Sequence, residues 1–426
     1  MNVCEQAARC KAVSSQLADT TTEVRNQLIL SIADALESQK QQIFAANQID
    51  LNMAAEQNLA TPIIKRLRFD ENKLRDVVAG LRDLAKLPDP LFQEQLKREL
   101  DEGLVLVRET CPIGVIGVIF EARPDALVQI SALCLKSGNC VILKGGSETK
   151  ESNRMLFAVI HECVVKAGID ENCMLLLEDR SQIAELLSCR ESVDLLIPRG
   201  SNAFVKYIMD NTRIPVMGHA DGICHIYVDK DADIATAIRV IIDAKTQYVS
   251  VCNAVETLLV HKDIVKELMP KLNEAFAQKN VELRASEDIV ALTGCKPATE
   301  EDDRTEYLDY IISAKTVDCM EDAITHINRY GSHHTDCIIT TNEDAARIFM
   351  RRVDSAGVYQ NCSTRFADGY RYGFGAEVGV STGKLHARGP VGLEGLVSYK
   401  YKLTGHGHIV DDYATGKNQF HFKELI

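Results

Sequence analysis

The chain has 426 residues, enough for two or three domains, and its 46% hydrophobic and 26% charged residues are the balance of an ordinary globular protein. A net charge of −13 argues against a nucleic-acid-binding surface but leaves room for an anionic small molecule held in a local basic pocket. No apolar run reaches membrane-span length, and the N-terminus lacks the basic and apolar segments of a secretory signal. The 14 cysteines are scattered, with neither a C-x-x-C pair nor regular spacing, so reduced thiols in the cytoplasm are expected rather than a disulfide framework or a zinc site.

The first ninety residues read as helices. Thr20-Thr21-Thr22-Glu23 reads as a capping box of Thr20 with Glu23, and Val24, Leu28, Ile32 and Leu36 follow at helical spacing. A second helix is expected over 41–57. A third, over 72–87, carries Leu74, Val77, Val78, Leu81 and Leu84 on one face and is stopped by Pro88 and Pro90. Asp101-Glu102-Gly103 predicts a β-hairpin over 97–110, either folded on its own domain or reaching out as an oligomer contact through a free edge.

From Gly114 the period changes. Strands are expected at 114–120, 141–143, 173–177 and 193–197, alternating with helices at 125–137, up to about 166, and at 182–188. Repeated βαβ units predict a doubly wound parallel sheet, with ligands at the carboxyl ends of its strands. A second α/β stretch follows, with strands at 226–228, 258–260, 311–313, 337–340 and 358–360 and helices at 234–245, 264–277, 320–329 and 343–353. Residues 295–305 read as an exposed loop and 396–403 as a last strand.

Several residues are candidates for chemistry. Cys252 stands in a run of small and polar residues just before the apolar Leu258–Val260. A thiol at the end of a buried strand suits a nucleophile, because the thiolate is the reactive form and a partly polar pocket favours it. The same residue also reads as one more small buried hydrophobe. Lys144-Gly145-Gly146-Ser147, between a strand and a helix, offers a cation and free amides to a phosphate or ribose, or is a simple turn. It is neither a G-x-G-x-x-G fingerprint nor a Walker loop. Arg199-Gly200-Ser201 repeats the pattern, and Arg123 either forks to a carboxylate or phosphate or merely opens a helix. His219 lies in a glycine-bounded loop and is catalytic or structural. Lys384, His386 and Arg388 belong to a segment dense in glycine and cation that grips an anion or lies solvated.

Seven stretches carry a resemblance: PIGVIGVIFEARPDA (112–126), NCVILKGGSE (139–148), CNAVETLLVH (252–261), TEYLD (305–309), HINRYGS (326–332), STRFADG (363–369) and STGKLHARGPVGLEGLVSYKY (381–401). With them the chain resembles the aldehyde dehydrogenase superfamily and, within it, the glutamate-5-semialdehyde dehydrogenases, or γ-glutamyl phosphate reductases. The resemblance covers nearly the whole chain, and the last stretch is long and close to diagnostic. It implies an α/β, aldehyde-dehydrogenase-like fold. A Rossmann-type cofactor domain would comprise residues 1–96 and 111–225, an α/β catalytic domain 226–390, and a β-hairpin oligomerisation element 97–110 with 391–426.

By the same resemblance, Cys252 falls on the nucleophile and Lys144 on the lysine at the adenosine ribose. Gly200 and Ser201 fall on the start of the helix facing the pyrophosphate, and Glu306 on the glutamate at the nicotinamide ribose. Ser147 stands where NAD-preferring members carry a glutamate. Without that carboxylate a 2′-phosphate is not repelled, so NADPH/NADP is the expected cofactor. The chain departs from the common pattern at Val205, where a second glycine is usual, and at Arg123, which replaces an oxyanion-hole asparagine. It departs again at His219, which replaces the general-base glutamate. A dehydrogenase that hydrolyses its thioester needs that glutamate to activate water. A reductase that makes its thioester from an acyl phosphate does not.

The resemblance therefore implies NADPH-dependent reduction of γ-glutamyl 5-phosphate to glutamate 5-semialdehyde and phosphate, in proline biosynthesis. Cys252 would attack the acyl carbon, and its amide, with Asn253 or Arg123, would steady the oxyanion. His219 would be the proton donor. Arg365, Lys384, His386 and Arg388 are candidates for the substrate's phosphate and carboxylate groups. A homo-oligomer is implied, with a separate glutamate 5-kinase as a further candidate partner. An acylating relative that uses coenzyme A and a non-catalytic scaffold are the rival readings.

Overall fold

The computed structural model describes residues 1–426, the side chain of Pro62 aside. Five helices come first: α1 (Val3–Ala18), α2 (Thr22–Ser38), α3 (Lys40–Glu56), α4 (Thr61–Leu67) and α5 (Glu71–Lys86). Asn2 and Glu5 cap α1 reciprocally. At the head of α2 the cap is Thr21, not Thr20: Thr21 has the extended backbone of an N-cap and accepts from the Val24 amide. Thr20 is engaged with the previous helix, its hydroxyl donating to the Leu17 carbonyl at 2.7 Å. The apolar face of α5 is buried as its spacing predicts.

β1 (Glu94–Asp101) and β2 (Leu104–Pro112) form the expected hairpin, turning at Gly103 with φ +74°. The chain then alternates through β3 (Val115–Phe120), α6 (Pro124–Lys136), β4 (Cys140–Lys144), α7 (Lys150–Lys166), β5 (Met174–Leu177), α8 (Gln182–Ser188), β6 (Leu195–Arg199) and α9 (Asn202–Asp210). The four strands make a parallel sheet in the order β5-β4-β3-β6. β3 and β4 are buried along their whole length, which is why both read as unbroken apolar runs. The strand order reverses between β3 and β6, so the switch point lies where Glu121 and Arg123 leave one strand and Arg199 and Gly200 leave the other.

The second half builds β7 (Cys224–Val228), α10 (Ile234–Thr246), β8 (Val255–His261), α11 (Val265–Gln278), β9 (Glu282–Ala285), α12 (Glu287–Thr293), β10 (Lys296–Pro297), β11 (Ile311–Val317), α13 (Met320–Tyr330), β12 (Thr335–Ile339), α14 (Glu343–Arg352) and β13 (Gly357–Gln360). Its seven-stranded parallel sheet runs β10-β9-β11-β8-β7-β12-β13. β14 (Gly379–Ser381) and β15 (Gly389–Val391) form a small antiparallel pair. β16 (Val397–Thr404) pairs with β2 along its whole length, from Val397 opposite Pro112 to Thr404 opposite Val105. After α15 (Val410–Ala414), β17 (Lys423–Glu424) pairs with β1. The hairpin is therefore the middle of a four-stranded sheet closed by the C-terminal segment.

The cysteines are not all free thiols. Cys4 of α1 and Cys189 at the end of α8 form a disulfide across 185 residues of sequence, and 12 cysteines remain free. The two Cα atoms lie 5.1 Å apart because α1 packs on α8, a contact that cysteine spacing cannot reveal.

A buried polar network joins β7 to β12. The His225 amide donates to Asp336 Oδ1 at 2.7 Å, and His225 Nδ1 lies 3.1 Å from the same oxygen. His326 of α13 stacks edge-on against His225, and burial, with the His225 charge next, drives its pKa down to about 3. An unfolded imidazole titrates near 6.5. Between those pH values the unfolded chain binds one more proton than the folded one, so stability falls as acid is added, by about 1.4 kcal/mol per pH unit from this residue alone. His326→Phe removes that slope. Urea unfolding at pH 6.5 and pH 4.5 should show the parent losing about 2–3 kcal/mol more than the variant over that interval.

Candidate active site

Cys252 sits in the turn before β8, half-buried, with the Ala254 amide closing the turn onto the Val251 carbonyl at 3.1 Å. Its backbone is held from behind. The Cys224 thiol donates to the Cys252 carbonyl at 3.2 Å. Gly222 approaches so closely that a Cβ there would lie 2.4 Å from both Cys252 Cα and the carbonyl oxygen. Position 222 therefore admits only glycine, although its φ is ordinary.

Two imidazoles face the thiol. His219, Cys252 and His334 each offer one ligand-type atom, and these atoms lie within 4.8 Å of one another. The His219 and His334 rings meet edge to face, with centroids 4.9 Å apart. His219 Nδ1 lies 2.8 Å from the Val380 carbonyl of β14, which can only accept, so Nδ1 carries the proton and Nε2 presents a lone pair. Burial pushes the His219 pKa below the usual imidazole value, and the Val380 bond and the Glu306 charge offset part of that. The ring is neutral at neutral pH.

Guanidinium groups ring the same space. Arg199 and Arg365 both lie within electrostatic reach of Cys252, and Arg123 is close enough to Arg199 to oppose its charge. Burial, then Arg123, lowers the Arg199 pKa to about 10, with Glu377 and Asp125 holding it up, so it stays charged at neutral pH. Arg365 Nε donates to Gln247 Oε1 at 2.9 Å. A cleft with several cations around one thiol concentrates anions even on an acidic protein.

The other expected residues fall in separate groups. Glu306 belongs at the centre: Asn202 at the start of α9 donates to its carboxylate and, at 3.0 Å, to Asp221, and burial raises the Glu306 pKa. Asn253 anchors the turn, its Nδ2 donating to the Ala367 carbonyl at 2.8 Å and its own carbonyl accepting from Thr364 Oγ1 at 2.7 Å. Lys384 and Arg388 pair with Asp354 at 2.6 and 3.1 Å, and His386 Nε2 lies 3.0 Å from the Gly395 carbonyl. Those contacts tie the β14–β15 connection down.

At the switch point, the Ser201 amide at the start of α9 donates to Glu121 Oε2 at 3.0 Å, and a Cβ on Gly200 would sit 2.5 Å from that oxygen. A carboxylate thus stands on the helix N-terminus where a phosphate group is the other natural occupant. Lys144 is buried at the end of β4, its Nζ donating to the Gly145 carbonyl at 2.5 Å, and burial lowers its pKa. Ser147 is exposed and opens a short 3-10 turn. Glu148 beside it is engaged, accepting from the Ala122 amide at 2.6 Å. Asn202, Gly222 and His334 are site residues that the sequence did not single out, and Arg199, read there only as a cation beside a helix start, lies near the thiol. Arg199 had a signal, since it ends a buried strand beside the Arg123 strand; His334 and Gly222 meet Cys252 only through the fold.

The fold and site define an aldehyde dehydrogenase: residues 2–316 match the aldehyde dehydrogenase family, and the chain belongs to that family of oxidoreductases. It is 56% identical over 425 residues to the gamma-glutamyl phosphate reductase of Acetivibrio thermocellus, with 100% of this chain and 99% of that protein covered. It is 54% identical over 419 residues to gamma-glutamyl phosphate reductase 1 of Synechocystis, covering 98% of this chain and 96% of that one. The crystal structure of the gamma-glutamyl phosphate reductase of Thermotoga maritima matches with a TM-score of 0.93 and 38% identity, over 95% of this chain and 99% of that one. The NADP-complexed glyceraldehyde-3-phosphate dehydrogenase GapN of Methanocaldococcus jannaschii, at 15% identity and a TM-score of 0.67 over 94% of each chain, shares the fold.

Gly222→Ala forces the Cys252 backbone aside. An aldehyde-oxidation rate about 10²-fold below the parent is expected, the usual cost of moving a reacting group by about 1 Å. Steady-state kinetics beside a melting curve would check it.

Proposed function

We propose that the protein reduces γ-glutamyl 5-phosphate to glutamate 5-semialdehyde and phosphate, with NADPH as reductant and a Cys252 thioester as intermediate. The observation that carries the reading is the surroundings of Cys252: Arg199 and Arg365 act on it, and neutral His219, not a carboxylate, stands at its side. The names of the full-length relatives support the same substrate.

His219 Nε2 takes the thiol proton, and the thiolate attacks the acyl carbon. The Cys252 amide, with Asn253 or the Arg123 guanidinium, steadies the oxyanion. Collapse breaks the carbon–oxygen bond to phosphate, and the arginines stabilise the departing anion. NADPH, when bound, supplies the hydride that reduces the thioester. Collapse of the resulting thiohemiacetal releases the aldehyde and restores the sulfur. No carboxylate at position 219 activates water, so the thioester survives until it is reduced.

The residues suit the cofactor. The α9 amide that now holds Glu121 can hold a phosphate oxygen, Lys144 brings a buried cation, and Glu306 receives the ribose hydroxyls. Ser147 is exposed and carries no carboxylate at its own position, and the adjacent Glu148 is engaged by the Ala122 amide, which favours NADP over NAD. On this reading residues 1–96 and 111–225 bind cofactor, 226–390 carry catalysis, and 97–110 with 391–426 join copies of the chain. The sheet formed by that last element exposes Tyr399, Tyr401 and Leu403 of β16, as a surface awaiting a second copy would. The semialdehyde cyclises by condensation with its own amine, the step toward proline. No described helix is long and apolar enough to cross a membrane, and we place the protein in the cytoplasm.

The test is oxidation of glutamate 5-semialdehyde run in the reverse direction. Reduction of NADP⁺ should require inorganic phosphate, exceed the rate with NAD⁺, and fall by about 10³-fold or more in Cys252→Ser. Coenzyme A replacing phosphate, or an unimpaired Cys252→Ser, would overturn the reading.

A further inference from the structure

We propose that Cys252, His219 and His334 form a thiophilic metal site that takes one Zn²⁺ ion and thereby masks the nucleophile. The acyl-transfer reading gives His334 no task. Its ring is fully buried at the entry to β12, yet its Nε2 has no hydrogen-bond partner. An orphaned interior nitrogen is costly, so a native site that keeps one invites an explanation. The explanation on hand is a ligand: this ring is one of three donors whose ligand atoms lie within 4.8 Å of one another.

The donor set is chemically apt. A thiolate and two neutral imidazoles with an open fourth position are a zinc arrangement. Metal-ligating histidines have their other nitrogen fixed by a hydrogen bond. Here both do: His219 Nδ1 on the Val380 carbonyl at 2.8 Å, and His334 Nδ1 on Thr335 Oγ1 at 2.9 Å. The buried His219 stays neutral and keeps its lone pair. Zinc–sulfur and zinc–nitrogen bonds of about 2.3 and 2.0–2.1 Å place tetrahedral ligand atoms roughly 3.3–3.6 Å apart. Closing from 4.8 Å to that spacing needs about 1 Å of side-chain adjustment.

The consequence follows from charge and geometry. Binding releases the Cys252 proton to solvent and ties the sulfur lone pair to the metal, so the sulfur can neither attack an acyl carbon nor be oxidised. Glu306, which faces His219, offsets the metal charge, while Arg199 and Arg365 oppose it. Those arginines instead favour an anionic substrate, so metal and acyl phosphate exclude each other. The three residues lie far apart in sequence, which is why no zinc-type spacing is visible.

Titration of Co²⁺ alone into the reduced full-length protein tests this. One Co²⁺ per chain is expected, with a thiolate-to-cobalt charge-transfer band that Zn²⁺ displaces. Zn²⁺ should also abolish aldehyde oxidation, with a chelator restoring it. Cys252→Ser should lose the band, and His334→Gln should weaken Zn²⁺ binding by at least about 10-fold, the lower end of what losing even an outer-sphere partner costs. Melting curves establish that the variants fold; should His334→Gln not fold, His219→Gln takes its place. A band that persists in Cys252→Ser, or Zn²⁺ affinities unchanged in both variants, would overturn the proposal. The optical readout needs no turnover, so a failure of acyl phosphate reduction would leave it standing.

Discussion

Everything in the site depends on how closely the backbone at Gly222 approaches the backbone at Cys252. The approach, tighter than any side chain permits, fixes the thiol against the loop that carries His219. That loop leaves the first sheet after β6 and enters the second at β7, so one contact sets Cys252, the proposed nucleophile, relative to both sheets. The Cys224 thiol on the Cys252 carbonyl and Thr364 on the Asn253 carbonyl lock the turn from two further directions. Placement of this kind comes from the scaffold and is what makes a reacting group effective.

The second constraint is electrostatic. The chain is acidic overall, yet Arg199 and Arg365 lie within electrostatic reach of the thiol, with Arg123 close to Arg199. Glu377 and Asp125 lie within electrostatic reach of Arg199, and Gln247 accepts from Arg365 Nε, so the field is built in before any ligand arrives. On the proposed reaction, the same arrangement accounts for the imidazole beside the thiol. A carboxylate there would repel an anionic substrate and activate water, and both effects oppose formation of a thioester from an acyl phosphate.

Much of this was legible in the sequence, for reasons that differ from element to element. β3 and β4 are buried on both faces, and an unbroken apolar run between turn residues is unambiguous. The hairpin was legible from Asp101-Glu102-Gly103, but its pairing with β16 joins residues 105 and 404 and came only with the family resemblance. α4, β9, β10, β14 and β15 are too short to show a period. The α2 cap moved by one residue because Thr20 belongs to the end of α1. Cys252, Lys144 and Glu306 stood in recognisable stretches, whereas Gly222 and His334 acquire meaning only from what the fold sets beside them. The cations at Lys384 and Arg388 looked free in the sequence because Asp354, which pairs with both, lies some thirty residues away. The Cys4–Cys189 bridge was hidden for the same reason.

The central claim is a thioester on Cys252 that water does not readily break. Incubation with glutamate 5-semialdehyde and NADP⁺, with phosphate withheld, followed by mass spectrometry of the quenched protein, tests it directly. The account predicts one glutamyl group on the Cys252 peptide, persistent in buffer and lost within the turnover time once phosphate is added. No adduct at Cys252, or an adduct that hydrolyses equally fast without phosphate, would contradict it.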